Sequence, residues 1–289
     1  MKKIVVLLAL LLSFSPVMAV DYTSYCPAEK DTTSFLGNIL SLTGINFLNR
    51  TMLQNRMASA LKKETNSKFD IDIDSIFGSS VLSGAFKSLS ATSKSLSYNG
   101  VYMSDFSVKT ACPYNYISFK NGKLSFPENM VLNYKTSVTQ EDINKILNSS
   151  LYKNAIAKMN KDGSISSLVN IKTSSVTISN DKLNFKYSLT PFPKASGLIS
   201  KLTSAVKPID LSFSTNLRAN NGKLELCNFD INSKNIAYDA LLPIINKFNP
   251  LSYGINVGKN NKGTLDVQNV NIKDGRINLV GVLLISKTE

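Results

Sequence analysis

Asn221-Gly-Lys-Leu-Glu-Leu226 is one of four similar hexapeptides, each of which interrupts an alternating apolar run. The other three are Asn121-Gly-Lys-Leu-Ser-Phe126, Asn180-Asp-Lys-Leu-Asn-Phe185 and Asp274-Gly-Arg-Ile-Asn-Leu279. Asn-Gly and Asp-Gly pairs adopt the positive φ angles of a type I′ turn at little cost, and this turn matches the twist of the strands it joins. The repeated pattern therefore predicts a chain built largely from antiparallel hairpins, each with one apolar face.

Two stretches have helical rather than alternating spacing. Residues 34–64 carry an apolar stripe that includes Met52, Leu53 and Met57, with a break expected at Gly44. A second helix is predicted over 139–160, because Thr139 and Asp142 have the spacing of a capping box. The alternating segments between and after these helices predict two sheet regions, 68–138 and 168–289. Together these elements indicate an α+β fold.

The N-terminal residues 1–19 have the features of a secretory signal peptide. Lys2 and Lys3 precede an apolar core over Ile4–Leu12, and Val17-Met-Ala19 provides a small-residue cleavage site. The apolar run is much shorter than the ~20 residues that a membrane span needs. We therefore expect an exported protein of the periplasm or cell envelope, soluble or peripheral, with residues 20–289 forming one domain.

The chain is strongly basic, with a formal net charge of +13. Lysine supplies nearly all of this charge, since only four arginines are present. Lysine suits diffuse attraction to anionic surfaces, whereas arginine suits bidentate recognition of phosphate or carboxylate. The lysines are scattered rather than clustered, which disfavours nucleic acid. Two interpretations stay open: a compositional bias toward Lys, Asn, Ile and Ser, or attraction to an anionic membrane surface.

Three cysteines remain after the predicted signal peptide: Cys26, Cys112 and Cys227. Cys112 and Cys227 both lie near the ends of strand-like segments and are a candidate disulfide pair, although buried free thiols are the default interpretation. Tyr25 makes Cys26 unsuitable as a lipoprotein acylation site, because a small residue is needed at that position.

Several classes of chemistry lack their usual residues. The chain has no histidine, which removes the commonest general base and transition-metal ligand. It also lacks a Gly-x-Ser-x-Gly elbow and a phosphate-binding glycine loop. Asp70, Asp72 and Asp74 share one side of a predicted strand, where they form either a calcium site or a solvated outer face. We therefore expect a protein that is not an enzyme and has no cofactor or bound metal.

Part of the chain resembles a known family. Phe69-Asp-Ile-Asp-Ile73, Leu82-Ser-Gly-Ala-Phe-Lys-Ser-Leu-Ser-Ala91 and the segment 96–109 resemble the LmeA-like family of exported phospholipid-binding proteins. The strand-to-helix junction 137–144 and the closing hairpin 267–281 are similar to that family as well. The resemblance implies a tubular lipid-binding fold, in which a long, curved antiparallel sheet wraps a few helices and leaves an apolar groove.

The function implied by the resemblance is to bind, or to bind and transfer, phospholipid in the bacterial cell envelope. The lining of the groove is expected to come from the apolar faces of three strands and from the second helix. The candidate residues are Leu132, Tyr134, Leu147, Leu151, Met159, Leu183, Phe185, Tyr187, Ile209, Leu211 and Phe213. The alternative is a structural or adhesive envelope protein, in which these same side chains fill a solid core. The sequence does not indicate an oligomeric state.

Overall fold

The computed structural model describes residues 21–30, 45–74, 84–98, 100–120, 123–150, 152–154, 157, 169–191, 209–231 and 263–287. The predicted signal peptide (1–19) and residues 34–44 of the first predicted helix lie outside these ranges. Within them the protein is β-rich, with long antiparallel sheets and few helices, which confirms the hairpin-based prediction. No helix in the described ranges is long and apolar enough to span a membrane.

The first sheet has six strands in the order β1-β3-β4-β8-β14-β13, and every neighbouring pair is antiparallel. Its strands are β1 (Asp70–Asp74), β3 (Ser88–Tyr98), β4 (Val101–Thr110), β8 (Met130–Thr139), β13 (Gly263–Lys273) and β14 (Arg276–Ile285). Short strands β2 (Ala85–Phe86) and β5 (Asn115–Tyr116) pair with each other, as do β6 (Ser118–Lys120) and β7 (Lys123–Ser125). The C-terminal hairpin therefore completes a sheet that begins with the first strand of the described chain.

The second sheet has four strands in the order β12-β11-β10-β9, again antiparallel throughout. Its strands are β9 (Val169–Ser179), β10 (Lys182–Pro191), β11 (Ile209–Asn220) and β12 (Lys223–Ile231). Pro191 ends β10, in keeping with the absence of an N–H on proline.

The turns between paired strands have the predicted geometry. Asn180 and Asp181 have φ values of 52° and 55°, and the Asn221-Gly222 and Asp274-Gly275 pairs also have positive φ throughout. Positive φ at both central residues is the signature of a type I′ turn. Three of the four repeated hexapeptides thus begin at tight hairpin turns, while Asn121 and Gly122 lie outside the described residues.

Four of the strand pairs contain register shifts. These shifts occur between Ser104 and Ser107, between Lys186 and Tyr187, between Ser214 and Asn216, and between Val267 and Asn269. Such β-bulges bend a strand and increase its local twist. One of them lies beside Val267 of the edge strand β13, whose backbone N–H binds the second sheet.

Helix α1 spans Ile45–Thr65, and the break predicted at Gly44 lies outside the described residues. Leu53 and Met57 are buried, but Met52 keeps 46% of its surface exposed. The assignment of Met52 to the packed stripe was therefore wrong. Met52 lies next to the packed residues along the helix, but its side chain points to solvent.

Helix α2 (Gln140–Asn148) starts with the predicted capping box, since Thr139 accepts from the Asp142 N–H and the Asp142 side chain accepts from the Thr139 N–H. The prediction of a single helix that extends to residue 160 was wrong. Ser149 has an extended backbone (ψ 150°) and ends α2, and its hydroxyl accepts from the Tyr152 N–H where helical residues resume. A serine hydroxyl competes with the helical hydrogen bonds in this way, which the apolar stripe alone does not reveal.

Asp142 is expected to be a strong determinant of stability. It is buried, and its Oδ2 accepts from the Thr139 N–H at 2.9 Å and from the hydroxyls of Thr139 at 2.8 Å and Ser104 at 2.7 Å. Asp142→Ala should cost about 2 kcal/mol, because it removes one half of the capping box and leaves these donors unpaired. Urea denaturation measures this loss. Glu141→Ala is the control: its exposed ion pair with Lys145 is worth only ~0.3–0.5 kcal/mol. Equal losses in both variants would contradict this assignment.

The disulfide links Cys26 to Cys112 and leaves Cys227 free, so the candidate pairing of Cys112 with Cys227 was wrong. Residues 21–30, here called the N-terminal strap, bring Cys26 to the start of the loop after β4. Tyr22, Cys26 and Cys112 pack there against Val131 and Val282 on the outer face of the first sheet. Cys227 lies in the middle of β12, opposite Asn216.

Candidate functional site

The predicted lining residues come together where the structure describes them. Eight of the eleven have described side chains, and all eight are buried members of one apolar cluster: Leu132, Tyr134, Leu147, Leu183, Phe185, Tyr187, Leu211 and Phe213. Ile209 is the first residue of β11, but its side chain is not among those described. Leu151 and Met159 lie outside the described residues. The cluster draws on both sheets and on α2, so the two sheets share a single apolar interior.

The first sheet contributes its inner face to this cluster. Leu132 lies opposite Leu283, which in turn lies opposite Leu265. Two residues further along β8, on the same face, Tyr134 is paired with Gly281. A Cβ on Gly281 would lie 2.8 Å from the Tyr134 ring, so the ring lies directly across the glycine. The sheet can accommodate this ring only because residue 281 has no side chain.

The second sheet contributes a row of aromatic rings. Phe185 and Phe213 are cross-strand partners on β10 and β11, with ring centroids 5.2 Å apart. Tyr187 stacks on both, at 5.8 Å from Phe185 and 5.6 Å from Phe213. Aromatic pairs at these separations stabilise by about 0.5–1.5 kcal/mol beyond their burial. This part of the interior is therefore held by ring-to-ring packing.

Helix α2 joins the two sheets at one side of the interior. Its N-terminal cap is bound to the first sheet through the Ser104 hydroxyl, while the side chain of Gln140 accepts from the N–H of Ile178 on β9 at 3.1 Å. Ile143 and Leu147 of the same helix are buried in the shared cluster. The helix therefore packs against both sheets.

A second connection, here called the sheet junction, is formed by Tyr22, Gly222, Asp266 and Val267. The Val267 N–H, at the bulge in β13, donates to the carbonyl of Gly222 in the β11–β12 turn at 2.9 Å. Asp266 accepts from the Tyr22 hydroxyl at 2.5 Å, and its Oδ1 lies against Gly222. The junction therefore joins the N-terminal strap, the first sheet and the second sheet.

Sequence reasoning missed the sheet junction. Asp266 occupies an ordinary polar position in an alternating strand, and nothing near it in the sequence distinguishes it from other strand carboxylates. Only the Asn221-Gly222 turn carried a signal, and that signal predicted the hairpin rather than its docking.

Tyr134 holds a polar group inside the apolar cluster. Its side chain is 4% exposed, and its hydroxyl has no hydrogen-bond partner among the described residues. Burial, reinforced by the nearby negative charge of Asp266 and by Tyr22, raises the pKa of Tyr134 above its ordinary value. The hydroxyl therefore stays protonated and available as a donor at neutral pH. Sequence analysis placed Tyr134 in the lining but did not predict this unpartnered hydroxyl.

The aspartates of β1 form a solvated face. Asp70, Asp72 and Asp74 are exposed, while Phe69 before them and Ile73 between them are buried. Arg50 of α1 forms an ion pair with Asp72. Within the described ranges, acidic and cysteine side chains form no group of three that could hold a metal ion. The arrangement matches the outer-face interpretation of this motif.

Comparison with protein families, with characterised proteins and with solved structures found no significant match to this chain. The site is an apolar interior shared by two sheets, with the Tyr134 hydroxyl buried inside it. Apolar interiors with a few placed polar groups are typical of sites for largely apolar ligands.

Proposed function

We propose that the protein binds an acyl-chain lipid, such as a phospholipid, between its two sheets. The observation that carries this proposal is that the described candidate residues of both sheets and of α2 belong to one continuous apolar cluster. The resemblance of segments 69–109, 137–144 and 267–281 to the LmeA-like family supports the same conclusion, and implies a tubular lipid-binding fold with an apolar groove.

The energetics set the requirement for such a site. An acyl chain that leaves a bilayer must recover ~0.8 kcal/mol per methylene, so a sixteen-carbon chain needs on the order of 12 kcal/mol. Isolated apolar side chains on a surface cannot supply this. An interior lined along its length by Leu, Phe and Tyr side chains from two sheets has the required character.

The proposal includes export to the periplasm or cell envelope. The disulfide between Cys26 and Cys112 is compatible with this location, because such bonds persist in oxidising compartments. An anionic membrane is the proposed source of the lipid. Lysines attract such a surface by about 1 kcal/mol each when held near it.

Titration with a fluorescent phospholipid tests the proposal. We expect saturable binding by the wild-type protein and competition by unlabelled phospholipid. Leu211→Trp fills the shared interior and should weaken binding about tenfold or more, a change of ~1.4 kcal/mol. Ser212→Trp is the matched control, since Ser212 is the next residue of β11 and is exposed on the outer face. Absence of saturable binding by the wild type would contradict the proposal.

A second candidate function is a structural or adhesive role in the envelope, and the stacking of Phe185, Tyr187 and Phe213 favours it. Rings packed against one another leave less room for a ligand. In this case, reversing the charge of exposed lysines on the outer faces, such as Lys109, Lys135 and Lys186, would alter attachment to partners. Lipid uptake would be absent in the wild type and in every variant.

A further inference from the structure

The hydroxyl of Tyr134 is buried in the shared apolar interior and has no hydrogen-bond partner among the described residues. A buried donor without a partner is costly, and native proteins keep such groups rarely. The ring is fixed in place, because it lies across Gly281 and is enclosed by the inner face of the first sheet. Its hydroxyl is therefore held in one position rather than free to rotate out to water.

The position of this hydroxyl is next to the sheet junction. Gly281 is the strand partner of both Tyr134 and Val267, so these three residues form one row across β8, β14 and β13. The tyrosine ring extends along this row toward β13. The point where a Gly281 Cβ would lie is 2.9 Å from the Tyr134 hydroxyl oxygen and 1.9 Å from the Asp266 carbonyl oxygen. The Val267 N–H in this row is already bound to Gly222. The donor thus lies at the boundary between the two sheets.

The charge at this boundary restricts what the hydroxyl can bind. The Asp266 carboxylate belongs to the same junction and is half-buried. A phosphate group placed beside it would experience like-charge repulsion that water screens only partly. A neutral acceptor meets no such penalty. In a phospholipid the neutral acceptor at the root of each acyl chain is the ester carbonyl.

We propose that the Tyr134 hydroxyl donates a hydrogen bond to the ester carbonyl oxygen of an acyl lipid bound between the sheets. This inference depends on the proposed function and specifies which part of the lipid is recognised. The acyl chain lies in the apolar interior, the ester is fixed at Tyr134, and the charged head group lies away from Asp266. Tyr134 is then a specificity residue that distinguishes ester-linked from ether-linked lipids.

The test compares two lipids and two proteins. Dipalmitoyl phosphatidylglycerol and its dihexadecyl ether analogue have the same head group and chain length, but only the first has ester carbonyls. We expect the wild-type protein to bind the ester lipid about tenfold more tightly than the ether lipid, as one hydrogen bond in an apolar site would provide. Tyr134→Phe should bind both lipids equally, at the level of the ether lipid on the wild type.

Thermal unfolding of the lipid-free proteins provides the second measurement. Tyr134→Phe should not lower the melting temperature, because the hydroxyl it removes has no partner in the described protein. Tyr116→Phe is the matched control: the Tyr116 hydroxyl accepts from the Lys30 N–H at 2.8 Å and donates to the Ala28 carbonyl at 3.2 Å. This control should lower the melting temperature and keep the preference for the ester lipid.

The outcomes separate the inference from the proposed function. Wild-type binding of both lipids with equal affinity would overturn the ester contact and leave lipid binding intact, and this comparison needs no variant. Retention of the preference by Tyr134→Phe would overturn the role of the residue. Binding of neither lipid by the wild type would overturn the proposed function, and the ester contact with it.

Discussion

Gly281→Ala should destabilise the protein by about 3 kcal/mol or more. The new Cβ would lie 1.9 Å from the Asp266 carbonyl oxygen and 2.8 Å from the Tyr134 ring, and one of these contacts is with backbone. Strand β14 is paired on both sides, to β8 and to β13, so it cannot move away from either without breaking its ladder. Overpacking of a closed interior typically costs 1–3 kcal/mol, and a forced shift of paired backbone adds to this. Urea denaturation measures the loss.

Gly275→Ala is the matched control for this substitution. Gly275 has a φ of 70°, but a Cβ there would have no heavy atom within 4 Å. The control therefore carries only the cost of a left-handed conformation, roughly 1–2 kcal/mol. If Gly281→Ala cost no more than Gly275→Ala, the close approach of β13, β14 and Tyr134 would be contradicted.

Loss of the Cys26–Cys112 disulfide should lower the free energy of unfolding by about 4 kcal/mol. The bond joins residues 86 positions apart, and a cross-link over a loop of this length strongly restricts the unfolded chain. It also holds the N-terminal strap, whose Tyr22 binds Asp266 at the sheet junction. The double variant Cys26→Ser/Cys112→Ser avoids new unpaired thiols, and chemical denaturation without reductant measures the effect.

Cys227→Ser is the control for the disulfide. Its thiol is unpaired, so the substitution should change stability by no more than about 0.5 kcal/mol. Peptide mapping under non-reducing conditions should recover one cross-linked pair that contains Cys26 and Cys112. A cross-link that includes Cys227, or equal destabilisation by both changes, would be inconsistent with the structure.

Local patterns predicted much of the fold. The Asn221-Gly222 and Asp274-Gly275 turns were predictable because few dipeptides adopt two successive positive φ angles at low cost. The start of α2 was predictable because both partners of its capping box lie within four residues. Alternation along β8, β10 and β11 likewise indicated which side chains face inward.

Features that depend on distant residues were not predictable from local patterns. The pairing of Cys26 with Cys112 depends on where the N-terminal strap crosses the first sheet, and sequence spacing does not determine this. The docking of Gly222 on Val267 depends on how the edge strand β13 meets the β11–β12 turn, and no residue type indicated this contact. The interruption at Ser149 depends on a hydroxyl that competes with the helix for one N–H.

The candidate site was predictable as a set of inward-facing residues but not as a volume. Leu132, Phe185 and Leu211 were assigned to the lining from alternation within single strands, and all three lie in the shared cluster. How closely the side chains of one sheet fill the space left by the other depends on the distance between the sheets, which no single strand encodes. The absence of a partner for the Tyr134 hydroxyl likewise depends on neighbours from other strands, which no single strand encodes.

Mass spectrometry of an organic-solvent extract tests the central claim most directly. The full-length protein, purified from its native cells without detergent, should release about one acyl lipid per chain, and ester-linked species should predominate. Mock extracts of an unrelated protein purified in the same way define the background. An extract with no lipid above that background, from a protein that also takes up no fluorescent phospholipid, would contradict a lipid-binding interior.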